Sequence, residues 1–77
     1  MVLSACQCRM ARAAVGLTRS ALAGKANVSS ATLSDFELEK REPYERTLRD
    51  IREAFETMGV TFLDQNEQGA GVRYLHA

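Results

Sequence analysis

The stretch Thr18-Arg-Ser-Ala-Leu-Ala-Gly-Lys-Ala-Asn27-Val-Ser-Ser-Ala-Thr-Leu-Ser-Asp-Phe-Glu37 decides the fold. Thr18 suits a helix start, because its hydroxyl can accept from an amide that the first turn leaves open. It predicts a short helix over Arg19 to Ala26, with Ala21, Leu22, Ala23 and Ala26 forming an apolar stripe. Asn27 is placed to end that helix, since Asn tolerates the left-handed conformation better than any residue except Gly. Val28 reads as a buried connector. Ser29 then caps a third helix that runs to about Glu37 and turns Leu33 and Phe36 toward the core. Two short helices are thus joined by a turn of about three residues.

Working outward, Ser4-Ala-Cys-Gln7 has the form of a capping box, in which the Ser hydroxyl and the Gln amide each satisfy an open backbone group. It predicts a first helix to Val15, closed by Gly16. On the other side, Leu38 to Pro43 carries four charges and a proline and reads as an exposed loop. Tyr44, Leu48, Ile51, Phe55 and Met58 then recur at helical period, with Glu45, Arg49 and Glu53 opposite and Gly59 as the stop. Beyond Gly59 the pattern changes. Val60 to Leu63 and Val72 to Leu75 are β-branched and aromatic, separated by the polar, glycine-containing segment Asp64 to Gly71. The expected architecture is mainly α: four helices near 4–15, 19–26, 30–37 and 44–58, the second and third forming a helix-turn-helix, followed by a strand pair at 60–63 and 72–75. One domain over 1–77 is expected, with 59–77 as a β extension.

Composition limits the function. The chain has 77 residues, 45% of them hydrophobic and 26% charged, and no apolar run long enough for a membrane span. Met1 to Ala5 lack the basic and apolar regions of a secretory signal, so a soluble, cytoplasmic protein is expected. Cys6 and Cys8, two positions apart on a helix, point in different directions and cannot bridge each other. With His76 as the single histidine, no zinc set stands at a familiar spacing, and no cofactor or metal is expected. Catalytic sets and glycine-rich phosphate loops are equally missing, so an enzyme is not expected. Ten Lys and Arg balance ten Asp and Glu, so net charge alone does not favour a polyanion partner.

Taken together, these residues resemble the Cro/phage-repressor family of helix-turn-helix regulators, also called the xenobiotic-response-element family. The resemblance covers about Gln7 to Met58. It rests on Arg9-Met-Ala-Arg12-Ala-Ala-Val-Gly-Leu-Thr18, on Leu22-Ala23, on Asn27 to Glu37, and on Pro43 with Thr47-Leu48-Arg-Asp-Ile51. The strand segments Gly59-Val-Thr-Phe-Leu63 and Gly71-Val-Arg-Tyr74 are similar to those of short bacterial members. The resemblance implies a partly buried ion pair between Arg12 and Glu37, which ties the first helix to the third. It implies phosphate contacts at Thr18 and Arg19, where a helix N-terminus favours anions. It also implies that the third helix enters the major groove of double-stranded DNA, offering Ser29, Ser30, Ala31, Thr32, Ser34 and Asp35.

Chemically, Ser and Thr can bond base edges or phosphates, Ala31 can touch a thymine methyl, and Asp35 can accept from a cytosine amino group. The third helix carries none of Arg, Lys, Gln or Asn. Positive charge is expected from Arg19, Lys25, Lys40, Arg41 and Arg46, on the second helix and in the loop after the third, where it would flank the third helix with phosphate contacts. The partners expected are an operator and a second copy of the chain, the dimer contact being formed by Val60, Phe62, Leu63, Val72, Tyr74 and Leu75. A hairpin folded back on its own helices is the alternative for those strands. For the whole protein, the alternative is a module of the same fold that binds another regulatory protein instead of DNA.

Overall fold

The computed structural model describes residues 3–75. His76, considered above as a metal ligand, and Met1 and Val2, at the start of the segment weighed as a signal, lie outside the described residues. Four helices and a hairpin follow in order: α1 (Ala5–Val15), α2 (Arg19–Ala26), α3 (Ser30–Glu37), α4 (Glu45–Glu56), β1 (Val60–Leu63) and β2 (Gly71–Tyr74).

The first three helices each start on a hydroxyl. Ser4, Thr18 and Ser29 accept the amide hydrogens of Gln7, Ala21 and Thr32, each at 3.0 Å. At α1 the box is complete, because Gln7 Oε1 accepts the Ser4 N–H at 3.0 Å. Gly16 and Asn27 close α1 and α2 in the left-handed conformation, at φ 75° and 57°.

Four details differ from the sequence reading. Ala21 is exposed, because in so short a helix the face formed by Leu22, Ala23 and Ala26 points almost directly away from it. Tyr44 does not belong to the apolar face of α4: it precedes the helix, caps nothing with its side chain, and is 85% exposed. At the other end α4 stops at Glu56, and a tight turn follows in which the Met58 and Gly59 amides donate to Phe55 O and Glu56 O at 2.9 and 3.1 Å. The second strand begins one residue earlier than expected, at Gly71, which pairs with Leu63.

The core joins the helices to the hairpin. Leu22, Leu33, Ile51 and Phe55 are fully buried, and Leu3, Cys8 and Ala11 close it from the α1 side; each large apolar side chain so placed stabilises the fold by on the order of 1.5–3 kcal/mol. Phe55 meets Phe62 edge to face, with ring centroids 5.9 Å apart. The strands run antiparallel, Val60 opposite Tyr74 and Phe62 opposite Val72. Alternation therefore turns these four side chains to one face, toward the helices, and Thr61 and Arg73 to the other.

This packing corrects part of the expected dimer contact. Val60 and Phe62 are 2% and 5% exposed and belong to the subunit's own core, so neither has surface to offer a second copy. The reason is that a lone two-stranded ribbon is marginal in water and must cover one face; here α1 and α4 do so. Val72 and Tyr74 pack against the same core, Leu63 is half-buried, and Leu75 is exposed.

Gln7 has a second use that its capping role hid. Its Nε2 donates to Leu63 O at 2.9 Å and Gly71 O at 3.1 Å, across the last rung of the ladder. One buried amide thus caps α1 and fastens the loop end of the hairpin to it. Gln7→Ala leaves both carbonyls without this donor and is expected to cost about 1–3 kcal/mol, read as a lowered midpoint in urea unfolding.

Gly59 sits at φ 94°, where a Cβ would lie 2.7 Å from the carbonyl oxygen of Leu75. The backbone conformation alone penalises a side chain by about 1–3 kcal/mol. Gly59→Ala is therefore expected to lower Tm by more than about 4 °C, and unchanged thermal unfolding would contradict this account of the turn.

Candidate nucleic-acid interface

The helix-turn-helix is held in place by a buried carboxylate. Glu37, at the C-terminus of α3, is 2% exposed. Arg12 of α1 grips it with two parallel bonds, Nε to Oε2 at 2.7 Å and Nη2 to Oε1 at 2.8 Å. The thiol of Cys8, one helical turn earlier, donates to Oε2 at 3.0 Å, and Arg9 donates to the backbone carbonyl of Glu37. Arg12 also donates through Nη1 to Leu17 O at 3.1 Å, which fixes the turn between α1 and α2. The expected Arg12–Glu37 pair is thus present, within a larger network. The sequence alone assigned neither Cys8 nor Arg9 a part in this network; the spacing of 8, 9 and 12 on one helix was the available signal.

The ionisation of this cluster follows from its surroundings. Burial alone would push the Glu37 carboxyl up, but hydrogen bonds from Arg12 and Cys8 and the charges of Arg12 and Arg19 outweigh it and hold the group below its ordinary value. Burial pushes the Cys8 thiol up, and the bonded carboxylate adds to the effect, so the thiol stays a proton donor. The hydrogen bond to Glu37 raises Arg12 despite partial desolvation.

Around this anchor stand the residues expected to meet DNA. Ala31, Ser34 and Asp35, three and four residues apart, share the outward side of α3, Ala31 exposed and the other two half-buried. The cap hydroxyls are already engaged: Thr18 with the Ala21 amide, Ser29 with the Thr32 amide and, at 2.7 Å, with the Thr32 hydroxyl. Ser30 is exposed at the first position of α3. Arg19 does not simply extend from the start of α2. Its Nη1 donates to Ser34 Oγ at 3.1 Å and its Nε lies 4.0 Å from Glu37 Oε1, so its head crosses to α3.

Past α3 the chain turns back through Glu39, in the left-handed region at φ 58°. The Lys40 and Arg41 amides then donate to Asp35 O at 2.8 and 3.3 Å. Lys40 lines a cleft beside the start of α1, with Leu3, Ser4 and Ala5. Arg41 lies between that cleft and a second one beside Thr32, Tyr44 and Thr47. Lys25 and Arg46 instead share a cleft with Asp50 and Glu53, where the acids offset them. The cations therefore do not form one stripe. Among the described residues, no group of three or more His, Cys, Asp or Glu is arranged to hold a metal, and no helix is long and apolar enough to cross a membrane.

A capped three-helix core in which an uncovered third helix is set against the second across a short left-handed turn defines a helix-turn-helix domain. The chain belongs to the Cro/C1-type helix-turn-helix family, a family of DNA-binding transcription regulators and not of enzymes; the family model described as Helix-turn-helix matches residues 9–60. No curated protein matches the chain significantly.

Because the Glu37 pKa is depressed in the folded state, its contribution to stability is present above the unfolded carboxylate value near 4.5 and is lost as pH falls through the lower folded value. Wild-type unfolding free energy is expected to decline as pH drops below about 4.5. Glu37→Gln leaves Arg12 partly buried without its counter-charge and is expected to cost about 3–5 kcal/mol at neutral pH, while flattening the acid limb. A variant that keeps the wild-type acid limb would show that another carboxylate is responsible.

Proposed function

We propose that the protein is a transcriptional repressor that acts in the cytoplasm as a homodimer on a pseudo-palindromic operator, with α3 of each subunit in successive major grooves. The observation that carries this reading is the uncovered outward face of α3, held rigidly on Glu37 in a member of a DNA-binding family. The open amides at the starts of α2 and α3, beside Thr18 and Ser30, suit phosphate oxygens. Lys40 and Arg41 supply charge beyond the other end of α3. Ser30, Ala31, Thr32, Ser34 and Asp35 form the groove-facing set.

For dimerisation, the residues left are Leu63, Val72, Tyr74 and above all Leu75, which is 80% exposed at the end of the second strand. A ribbon with one face covered still has open strand edges, and a second copy would shield them. The extent of domain 1–77 and the role of 59–77 as the dimer element belong to this same reading.

A second reading, a module that binds another regulator through α3, is favoured by the exposure of Leu38, three residues past the acidic Asp35, and of Tyr44, which shares a cleft with Thr32. Electrophoretic mobility shift of the promoter region under salt titration separates the two. Repressor action predicts retarded DNA with affinity falling steeply in salt, by roughly 0.9 log units per log unit of salt for each phosphate neutralised. It also predicts one dimer per site in sedimentation. Absence of a salt-dependent shift, with a regulator captured instead, would transfer the assignment to the second reading.

A further inference from the structure

The groove-facing side of α3 lacks the side chains that discriminate purines best. Ala31 offers a methyl group, Ser34 a hydroxyl and Asp35 an acceptor, and none of these makes the two-point donor contact that identifies a guanine. The nearest group able to do so comes from another helix. Arg19 opens α2, and its side chain lies across to α3, with Nη1 donating to Ser34 Oγ at 3.1 Å and Nε 4.0 Å from Glu37 Oε1.

We propose that Arg19 is the specificity-determining residue of the interface, reading a guanine through a guanidinium that Ser34 and Glu37 hold in register against α3. The inference rests on the DNA-binding reading above and names which base-edge chemistry that reading uses.

Three features carry it. The side chain is 43% exposed, so part of the guanidinium remains open to a ligand. It is a five-donor fork, and the neighbours described for it take one donor fully and lie near a second, leaving further N–H groups for O6 and N7 of guanine. Its direction is set on two sides by residues of α3, and one of them, Glu37, is itself fixed by Arg12 and Cys8. Such a restrained fork loses little freedom on binding, whereas a phosphate needs only a mobile point charge. Ser34 is accordingly a positioning residue: its hydroxyl oxygen accepts from Arg19 and keeps the guanidinium beside the outward face of α3.

The test is selection of binding sites from a randomised double-stranded DNA library with the wild-type protein, followed by affinity measurements on the selected site and on versions with single G·C to A·T changes. Wild type is expected to require a G·C pair at one position in each half-site. Arg19→Lys keeps the charge and loses the fork; it should lower the preference for that pair by roughly 5- to 150-fold, leaving other positions of the site unchanged. Arg19→Gln should move the preference at the same position toward A·T, since Gln pairs with adenine. Ser34→Ala, which leaves the guanidinium but removes its anchor, should weaken discrimination at that position alone. Circular dichroism confirms that each variant is folded.

A uniform loss of affinity on every sequence, with the salt slope reduced by about one phosphate contact, would overturn the proposal and make Arg19 a phosphate clamp, with the DNA-binding reading intact. A wild-type protein that selects no sequence, yet binds DNA with a strong salt dependence, would overturn it as well. Failure of wild type to bind the library at all would overturn the DNA-binding reading itself.

Discussion

The Glu37 carboxylate is the constraint on which the helix-turn-helix depends. A buried charge is costly unless every lone pair is met, and here Arg12 supplies two bonds and Cys8 a third. Because Arg12 and Cys8 belong to α1 and Glu37 ends α3, the requirement fixes how these helices sit. Arg12 also reaches Leu17 O and Arg19 approaches the same carboxylate, so the turn into α2 and the start of that helix are referred to one point. An apolar cluster of the same volume would permit several packings of helices this short. A carboxylate with directional partners permits few, which is what a surface that must match a groove requires.

The hairpin solves a different problem. Two short helices and two longer ones leave α1 and α4 with apolar surface that a chain of this size cannot leave in water. Val60 and Phe62 fill that space, and the Arg52 guanidinium stands 5.5 Å from the centroid of the Phe62 ring. Gln7 then connects the capping of α1 to the last rung of the ladder. The strands are therefore part of the subunit's own fold, and whatever role they have in assembly falls to their edges and to Leu75.

The balance of charge acquires a spatial meaning. Lys25 and Arg46 stand with Asp50 and Glu53, so they add little to a field for DNA. Arg19 reaches α3 from α2, at Ser34 and Glu37, whereas Lys40 and Arg41 stand in the loop that follows α3. A protein with zero net charge has weak long-range attraction for a polyanion, and selectivity must then come from a few well-placed contacts. That makes the orientation of Arg19 more consequential than its charge.

The sequence alone determined the helices, their starts and most of their ends, because hydroxyl caps, left-handed Gly and Asn residues and apolar period act within a few residues of chain. It also sufficed for the Arg12–Glu37 pair and for the family, through motifs spread over 9–60. What it left undetermined lies in contacts between distant segments. Tyr44 and Ala21 fit an apolar pattern yet face solvent, because the neighbouring elements cover other sides. Val60 and Phe62 have the same alternation whether they pair with a second copy or fold inward. Gln7 meets carbonyls 56 and 64 positions away, and Cys8 meets a carboxylate 29 positions away. The direction of Arg19 is likewise set by α3, fifteen positions along the chain. Local patterning encodes which elements form; only tertiary packing, which decides who satisfies each buried polar group, could reveal these partners.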